Sequence, residues 1–257
     1  LFTLPFTQIP LLGLYFLIML PLYSEANNSL PFFDPMDVFE LEWATDPRVS
    51  PDGQTIVYVR RSNDIMKDRE RSNLWQVSAD GTDHRPLYSG LKSIKSPRWS
   101  PNGEKLAFVS NDTGSQQIHV RWLDNGETTL ISQLQASPSN LSWSPDGKWL
   151  AFTMNVEAPS ETIAETRTKP EGASWAKGPI TVTTTQYQYD GQGIVEPAYR
   201  HVFVVPAEGG SARQLTEGNF NHYGSLAWSP KSSDIFFSAY RSADWELVSL
   251  NICQRIS

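Results

Sequence analysis

Trp143-Ser144-Pro145-Asp146-Gly147, with the apolar run Leu150-Ala151-Phe152 close behind it, is a phrase that this chain repeats. The other copies are Val49-Ser50-Pro51-Asp52-Gly53 before Ile56-Val57-Tyr58-Val59, Trp99-Ser100-Pro101-Asn102-Gly103 before Leu106-Ala107-Phe108-Val109, and Trp228-Ser229-Pro230-Lys231-Ser232 before Ile235-Phe236-Phe237. The prolines at 51, 101, 145 and 230 are 50, 44 and 85 residues apart, so the last interval is one period plus an insertion of about 40 residues. Ser-Pro-Asp-Gly supplies what a type I turn requires: Ser first, Pro with its fixed φ second, Asp third, Gly fourth. Each copy therefore predicts a hairpin tip. The run after it is too continuous for a sheet with one wet face and predicts a strand buried on both sides. Lys231-Ser232 replaces Asp-Gly in the last copy, and a different turn is expected there.

Working outward, each period holds two more strand signals. Asn73-Leu74-Trp75-Gln76-Val77, Gln117-Ile118-His119-Val120 and His201-Val202-Phe203-Val204-Val205 read as third strands, each followed by a turn. Arg85-Pro86-Leu87-Tyr88, Thr129-Leu130-Ile131 and Arg213-Gln214-Leu215-Thr216 read as outer strands. Four strands per 40-to-50-residue repeat is the pattern of a β-propeller blade. The expected fold is all-β: a partial β-propeller of about four four-stranded blades, with an irregular insertion at about 155–200 in the third blade. The propeller part is expected over 37–250, with 251–257 as a non-matching tail.

Composition agrees. The chain has 257 residues, with 39% hydrophobic and 19% charged, and includes 9 Trp, 9 Tyr and 12 Phe, enough to bury a core. Twenty-one Lys and Arg against 28 Asp and Glu give a net charge of −7, which argues against a nucleic-acid-binding surface. The single cysteine, Cys253, excludes an intramolecular disulfide framework and a cysteine-based zinc site.

Residues 1–33 differ from everything after them, and 1–26 are expected to be a signal peptide. The run Leu11-Leu12-Gly13-Leu14-Tyr15-Phe16-Leu17-Ile18-Met19-Leu20 resembles a signal-peptide hydrophobic region, is too short for a stable membrane span, and precedes small residues at Ser24-Glu25-Ala26. A secreted or periplasmic protein is expected, with 27–36 as a linker. The segment has no Lys or Arg and does not begin with Met, so the alternatives are a membrane anchor or a cytoplasmic protein with a miscalled start. Asn27-Asn28-Ser29 and Asn111-Asp112-Thr113 fit the glycosylation sequon, which matters only in a eukaryotic secretory pathway.

The repeated phrase, the Gly209-Gly210 pair and Arg213-Gln214-Leu215-Thr216 resemble the blades of two families: the N-terminal propeller of prolyl oligopeptidase-family serine peptidases and the propeller of TolB-like proteins. Two stretches favour the acylaminoacyl-peptidase and dipeptidyl-peptidase-like branch of the first. Asp37-Val38-Phe39 leading through Trp43 to Asp52-Gly53 is similar to that branch's first blade. Trp175-Ala176-Lys177-Gly178-Pro179-Ile180, Gln186-Tyr187 and Asp190-Gly191-Gln192-Gly193 are similar to its third-blade insertion. The resemblance runs from about Asp37 to Glu246. It implies the propeller portion of a serine peptidase acting on short peptides or acyl-peptides, in which propeller loops gate substrate. The non-enzymatic, partner-binding TolB-like propeller is the alternative.

In the resembling peptidases the catalytic Ser, Asp and His belong to an α/β-hydrolase domain with a Gly-x-Ser-x-Gly elbow. No two of these 16 glycines are four residues apart, so no such elbow occurs here and no catalytic residue carries over. Catalytic, cofactor and metal-binding residues are accordingly none, and no cofactor is expected. His84, His119, His201 and His222 lack metal-ligand spacing; Glu157, Glu161 and Glu165 read as solvated loop residues; Gly191-Gln192-Gly193 reads as a turn rather than a dinucleotide fingerprint. Trp99, Trp143 and Trp228 recur at one repeat position and read as packing, not as a ligand cage. The insertion carries Trp175, Tyr187, Tyr189 and Tyr199; it reads as a packing or oligomer-contact element, and substrate gating, which the resemblance implies for a complete relative, is the alternative. Four blades on their own leave two apolar blade faces open, so an isolated chain is expected to self-associate.

Overall fold

The computed structural model describes residues 32–90, 93–158, 167–176, 181–182, 185, 187–190, 193–195, 197–242 and 252–257. The signal-like segment, the Asn27 sequon, Glu161, Glu165, Lys177 to Ile180, Gly191-Gln192 and Asp244 to Glu246 lie outside these. The chain divides into two compact units, Leu1–Asp37 and Val38–Ser257. In the first, the carboxylates of Asp34 and Asp37 each cap a backbone amide: the Asp34 amide donates to Asp37 Oδ2 at 2.8 Å and the Met36 amide to Asp34 Oδ1 at 2.8 Å.

The second unit is a succession of antiparallel sheets. The first is built in chain order from β1 (Glu42–Val49), β2 (Thr55–Asp64), β3 (Arg69–Ser78) and β4 (Arg85–Tyr88). The next comprises β5 (Ile94–Trp99), β6 (Lys105–Ser110), β7 (Gln117–Trp122) and β8 (Thr128–Leu130). The third joins β9 (Ser139–Trp143), β10 (Trp149–Glu157), β13 (Ala198–Pro206) and β14 (Arg213–Gln214), with a hairpin of β11 (Gln188–Tyr189) and β12 (Gly193–Ile194) between β10 and β13. The last joins β15 (His222–Trp228), β16 (Ile235–Ala239) and β17 (Ile252–Ile256). These are propeller blades. The fourth has three strands among the described residues, and its third is formed by Ile252–Ile256, a stretch that reads in sequence as lying outside the repeats. The one helical element among the described residues is a 3-10 turn at Pro35–Phe39, and none is long and apolar enough to cross a membrane.

The turn phrase works through its side chains. Ser144 Oγ donates to Asp146 Oδ1 at 2.6 Å and accepts the Trp149 amide at 2.9 Å, while the Gly147 amide closes on the Ser144 carbonyl at 2.9 Å. Ser50 with Asp52 and Ser100 with Asn102 repeat the arrangement. Gly147 has φ +69°, a left-handed conformation that glycine adopts without steric cost. Ser232 was expected to force a different turn, and it does not. Its amide bonds the Ser229 carbonyl at 2.9 Å and its φ is +58°, so the same turn forms with a serine in the left-handed region. The buried strand pairing on either side imposes the turn, against a local cost of about 1 kcal/mol.

Three hydrophobic clusters hold the blades together, one per interface. Val57, Leu74, Ile94, Leu106 and Phe108 fill the first. The second holds Ala107, Val109, Leu150, Phe152 and Phe203 among others, and the third Ala151, Val202, Val204, Ile235 and Phe237. Leu106 and Phe108 thus face one neighbour and Ala107 and Val109 the other, as the unbroken apolar run requires. In the flanking blades only alternate residues are buried: Val57 and Val59 on β2, Ile235, Phe237 and Ala239 on β16.

Candidate functional site

Each blade's first strand meets the first strand of the next, β1 with β5, β5 with β9, and β9 with β15, so these four strands form a continuous inner wall. The recurrent tryptophans tie the wall together. Trp99 Nε1 donates to the Arg48 carbonyl at 3.0 Å, Trp143 Nε1 to the Arg98 carbonyl at 2.9 Å, and Trp228 Nε1 to the Ser142 carbonyl at 3.2 Å. The acceptor is always the residue just before the preceding blade's Val or Trp. Packing and this inter-blade hydrogen bond together account for the repeat position, in line with the structural role expected for these residues.

Every wall strand is also interrupted by a bulge. Register shifts fall at Thr45/Arg48, Lys95/Arg98 and Tyr223/Ala227, and opposite β9 at Ala151/Thr153. Asp46, Ser96, Asn140 and Gly224 take positive φ there. A bulge re-aims side chains out of the regular alternation. At these, polar groups gather: Arg98 Nη1 donates to Asp46 Oδ2 at 2.8 Å and to the Pro97 carbonyl at 2.6 Å, and Arg48 Nε donates to Asp46 Oδ1 at 2.8 Å. Asn140 Nδ2 crosses to the Gly224 carbonyl at 3.1 Å. A cavity of about 430 Å3 opens on this wall, with Arg48, Arg98, Trp143, Asn140, Ser142 and Ser225 in its lining. None of these was singled out as a site in sequence. The only signal available was an arginine preceding Val-Ser-Pro and Trp-Ser-Pro in two successive copies.

A second polar cluster lies between the third and fourth blades. His222 is fully buried, its Nδ1 2.7 Å from the Arg200 carbonyl and its Nε2 3.1 Å from Arg241 Nη2. A carbonyl only accepts and a guanidinium only donates, so the proton sits on Nδ1 and the ring is neutral. Burial depresses its pKa to about 4, and the Arg241 charge adds to the effect. The His201 ring lies tilted 5.2 Å away and bonds Thr216 Oγ1 at 3.2 Å, and burial lowers its pKa as well. His119 is buried on β7 against Phe108, and His84 contacts Tyr58 Oη at 2.7 Å. Among the described residues no three His, Cys, Asp or Glu converge as a metal site would require. His201 and His222 share one cluster, while His84 and His119 sit in separate packing environments.

The insertion leaves from the end of a long hairpin. β10 and β13 pair without interruption from Trp149↔Pro206 to Glu157↔Ala198, so regular pairing extends to both margins of the insertion and narrows it to the residues between 157 and 198. Within it, Gln188 pairs with Ile194 and Tyr189 with Gly193. Trp175 and Tyr187 are exposed, while Arg200 at the base lies over the Tyr223 ring at 5.8 Å.

Residues 65–255 match the family model described as the TolB beta propeller domain, PD40. Over 204 residues the chain is 31% identical to the uncharacterized peptidase YuxL of Bacillus subtilis, covering 79% of this chain and 30% of that protein. It is 26% identical over 113 residues to dipeptidyl-peptidase 5 of Porphyromonas endodontalis, 44% of this chain and 16% of the relative. Among solved structures, the acylaminoacyl peptidase of Pyrococcus horikoshii superposes with a TM-score of 0.58 at 16% identity, over 80% of this chain and 29% of that one, a likeness of fold. The chain thus spans less than a third of the length of these relatives. With four inner strands in register, four turns of one design and a match over 65–255, the chain belongs to the TolB β-propeller (PD40) family.

Proposed function

We propose that this chain is propeller from a serine peptidase of the prolyl oligopeptidase type, and that it selects short peptides for a nucleophile carried elsewhere. The similarity to a peptidase over 79% of the chain carries the reading. The geometry supports it: β10 and β13 stay paired over nine residues up to both margins of the insertion and anchor it at one end of a blade, a placement suited to a gate. The signal-like leader supports an activity outside the cytoplasm. Replacing the residues between Glu157 and Ala198 by an Asn-Gly turn tests the gate. Peptide binding by the full chain is expected to lose its preference for tripeptides over 30-residue peptides, and an unchanged preference refutes the gating role. The family match itself favours a second reading, a TolB-like propeller that binds a protein partner without catalysis. Under that reading tripeptides do not bind.

A further inference from the structure

We propose that the inner-wall cavity holds the C-terminal carboxylate of a short peptide between the Arg48 and Arg98 guanidiniums. The inference rests on the peptide-selecting function above and specifies which end of the peptide the propeller reads. Its volume of about 430 Å3 is that of a small-ligand site. Two cations face one anion there, Asp46, so the wall carries an excess positive charge in a chain whose net charge is −7. Asp46 spends both carboxylate oxygens on the two arginines and so fixes their positions without neutralising both.

Free donors remain. Arg98 commits only Nη1 to protein acceptors, leaving Nε and Nη2 without a partner among the described residues, and Ser142 and Ser225 Oγ take no hydrogen bond there either. A guanidinium fork presents paired N–H groups at the spacing of carboxylate oxygens, so the unpaired Nε and Nη2 edge of Arg98 beside free hydroxyls matches a carboxylate better than an amide, which must also donate; Arg48, whose Nε and Nη2 both face Asp46 Oδ1, adds its charge. Trp143 and Leu226 in the same lining offer apolar contact to the terminal side chain.

The test is calorimetric titration of the full chain with N-acetyl-Ala-Ala-Ala as the free acid and as the C-terminal amide. The free acid is expected to bind at least tenfold more tightly, with the difference shrinking between 0.05 and 0.5 M NaCl as charge is screened. Arg98→Gln and, separately, Arg48→Gln are expected to abolish the preference for the acid. Circular dichroism and thermal melting check that each variant folds, and the comparison in the unaltered chain needs no variant. Equal binding of acid and amide overturns the carboxylate site while leaving the peptide reading standing. Binding of neither overturns both.

Discussion

Replacing Trp143 by phenylalanine probes the inter-blade ladder at its most buried rung. The side chain is 9% exposed and its Nε1 donates to the Arg98 carbonyl at 2.9 Å. Phenylalanine keeps the ring against Leu150 but leaves that carbonyl without its partner in a largely dry interface, at a cost of about 1–2 kcal/mol. The lost pyrrole edge removes apolar contact worth about 1 kcal/mol more. A loss of about 2–3 kcal/mol is expected. Trp99→Phe and Trp228→Phe remove the same bond where the indoles are only partly buried, so water takes the indole's place and each is expected to cost about 1 kcal/mol or less. Urea unfolding at pH 7, followed by circular dichroism with unchanged m-values across the set, reads the three losses. Three equal losses, or a neutral Trp143→Phe, would refute the claim that burial of the shared bond sets its value.

His222 makes stability depend on pH with a definite sign. Its folded pKa of about 4 lies below the unfolded 6.5, so the unfolded chain binds the extra proton between those values and stability falls as pH drops from about 6.5 to 4. His222→Gln is expected to flatten that slope, measured by urea midpoints at pH 7 and 4.5. Asp234, held near 2 by hydroxyls of Ser233 and Ser257 and by Arg255, acts in a lower window: its contribution is present above 3.8 and lost as pH falls toward 2. Ser232→Gly relieves left-handed strain of about 1 kcal/mol but loses the 3.1 Å bond from the Asp146 amide, so a net gain of about 0.5 kcal/mol is expected in chemical denaturation. Phe152→Ala, fully buried and stacked on Phe203, is expected to cost about 3–5 kcal/mol, whereas Phe236→Ala, 36% exposed on the fourth blade, is expected to cost about 1–2 kcal/mol by the same assay.

The parts of this fold that can be read along the chain are those whose chemistry is local. Ser144, Pro145, Asp146 and Gly147 make a turn mostly among themselves, and Leu106 to Val109 announce a strand packed on two sides because every residue in the run is apolar. Ser232 marks the limit of that reasoning: local propensity pointed to another turn, and pairing of β15 with β16 overrode it. The bulges at Asp46, Ser96 and Asn140 have no sequence signature of their own, since each arises from a register shift between paired strands. Arg48 and Arg98 are hidden for the same reason. Read alone they are charges on a strand; only the bulge and the neighbouring blade bring both to Asp46.

Reading the encoding DNA beyond codon 257 tests the peptidase assignment most directly. The account predicts further blades of the same phrase, then a Gly-x-Ser-x-Gly elbow between a strand and a helix, with Asp and His following it in that order. Further blades with no elbow downstream would contradict it and leave a propeller that binds rather than serves catalysis.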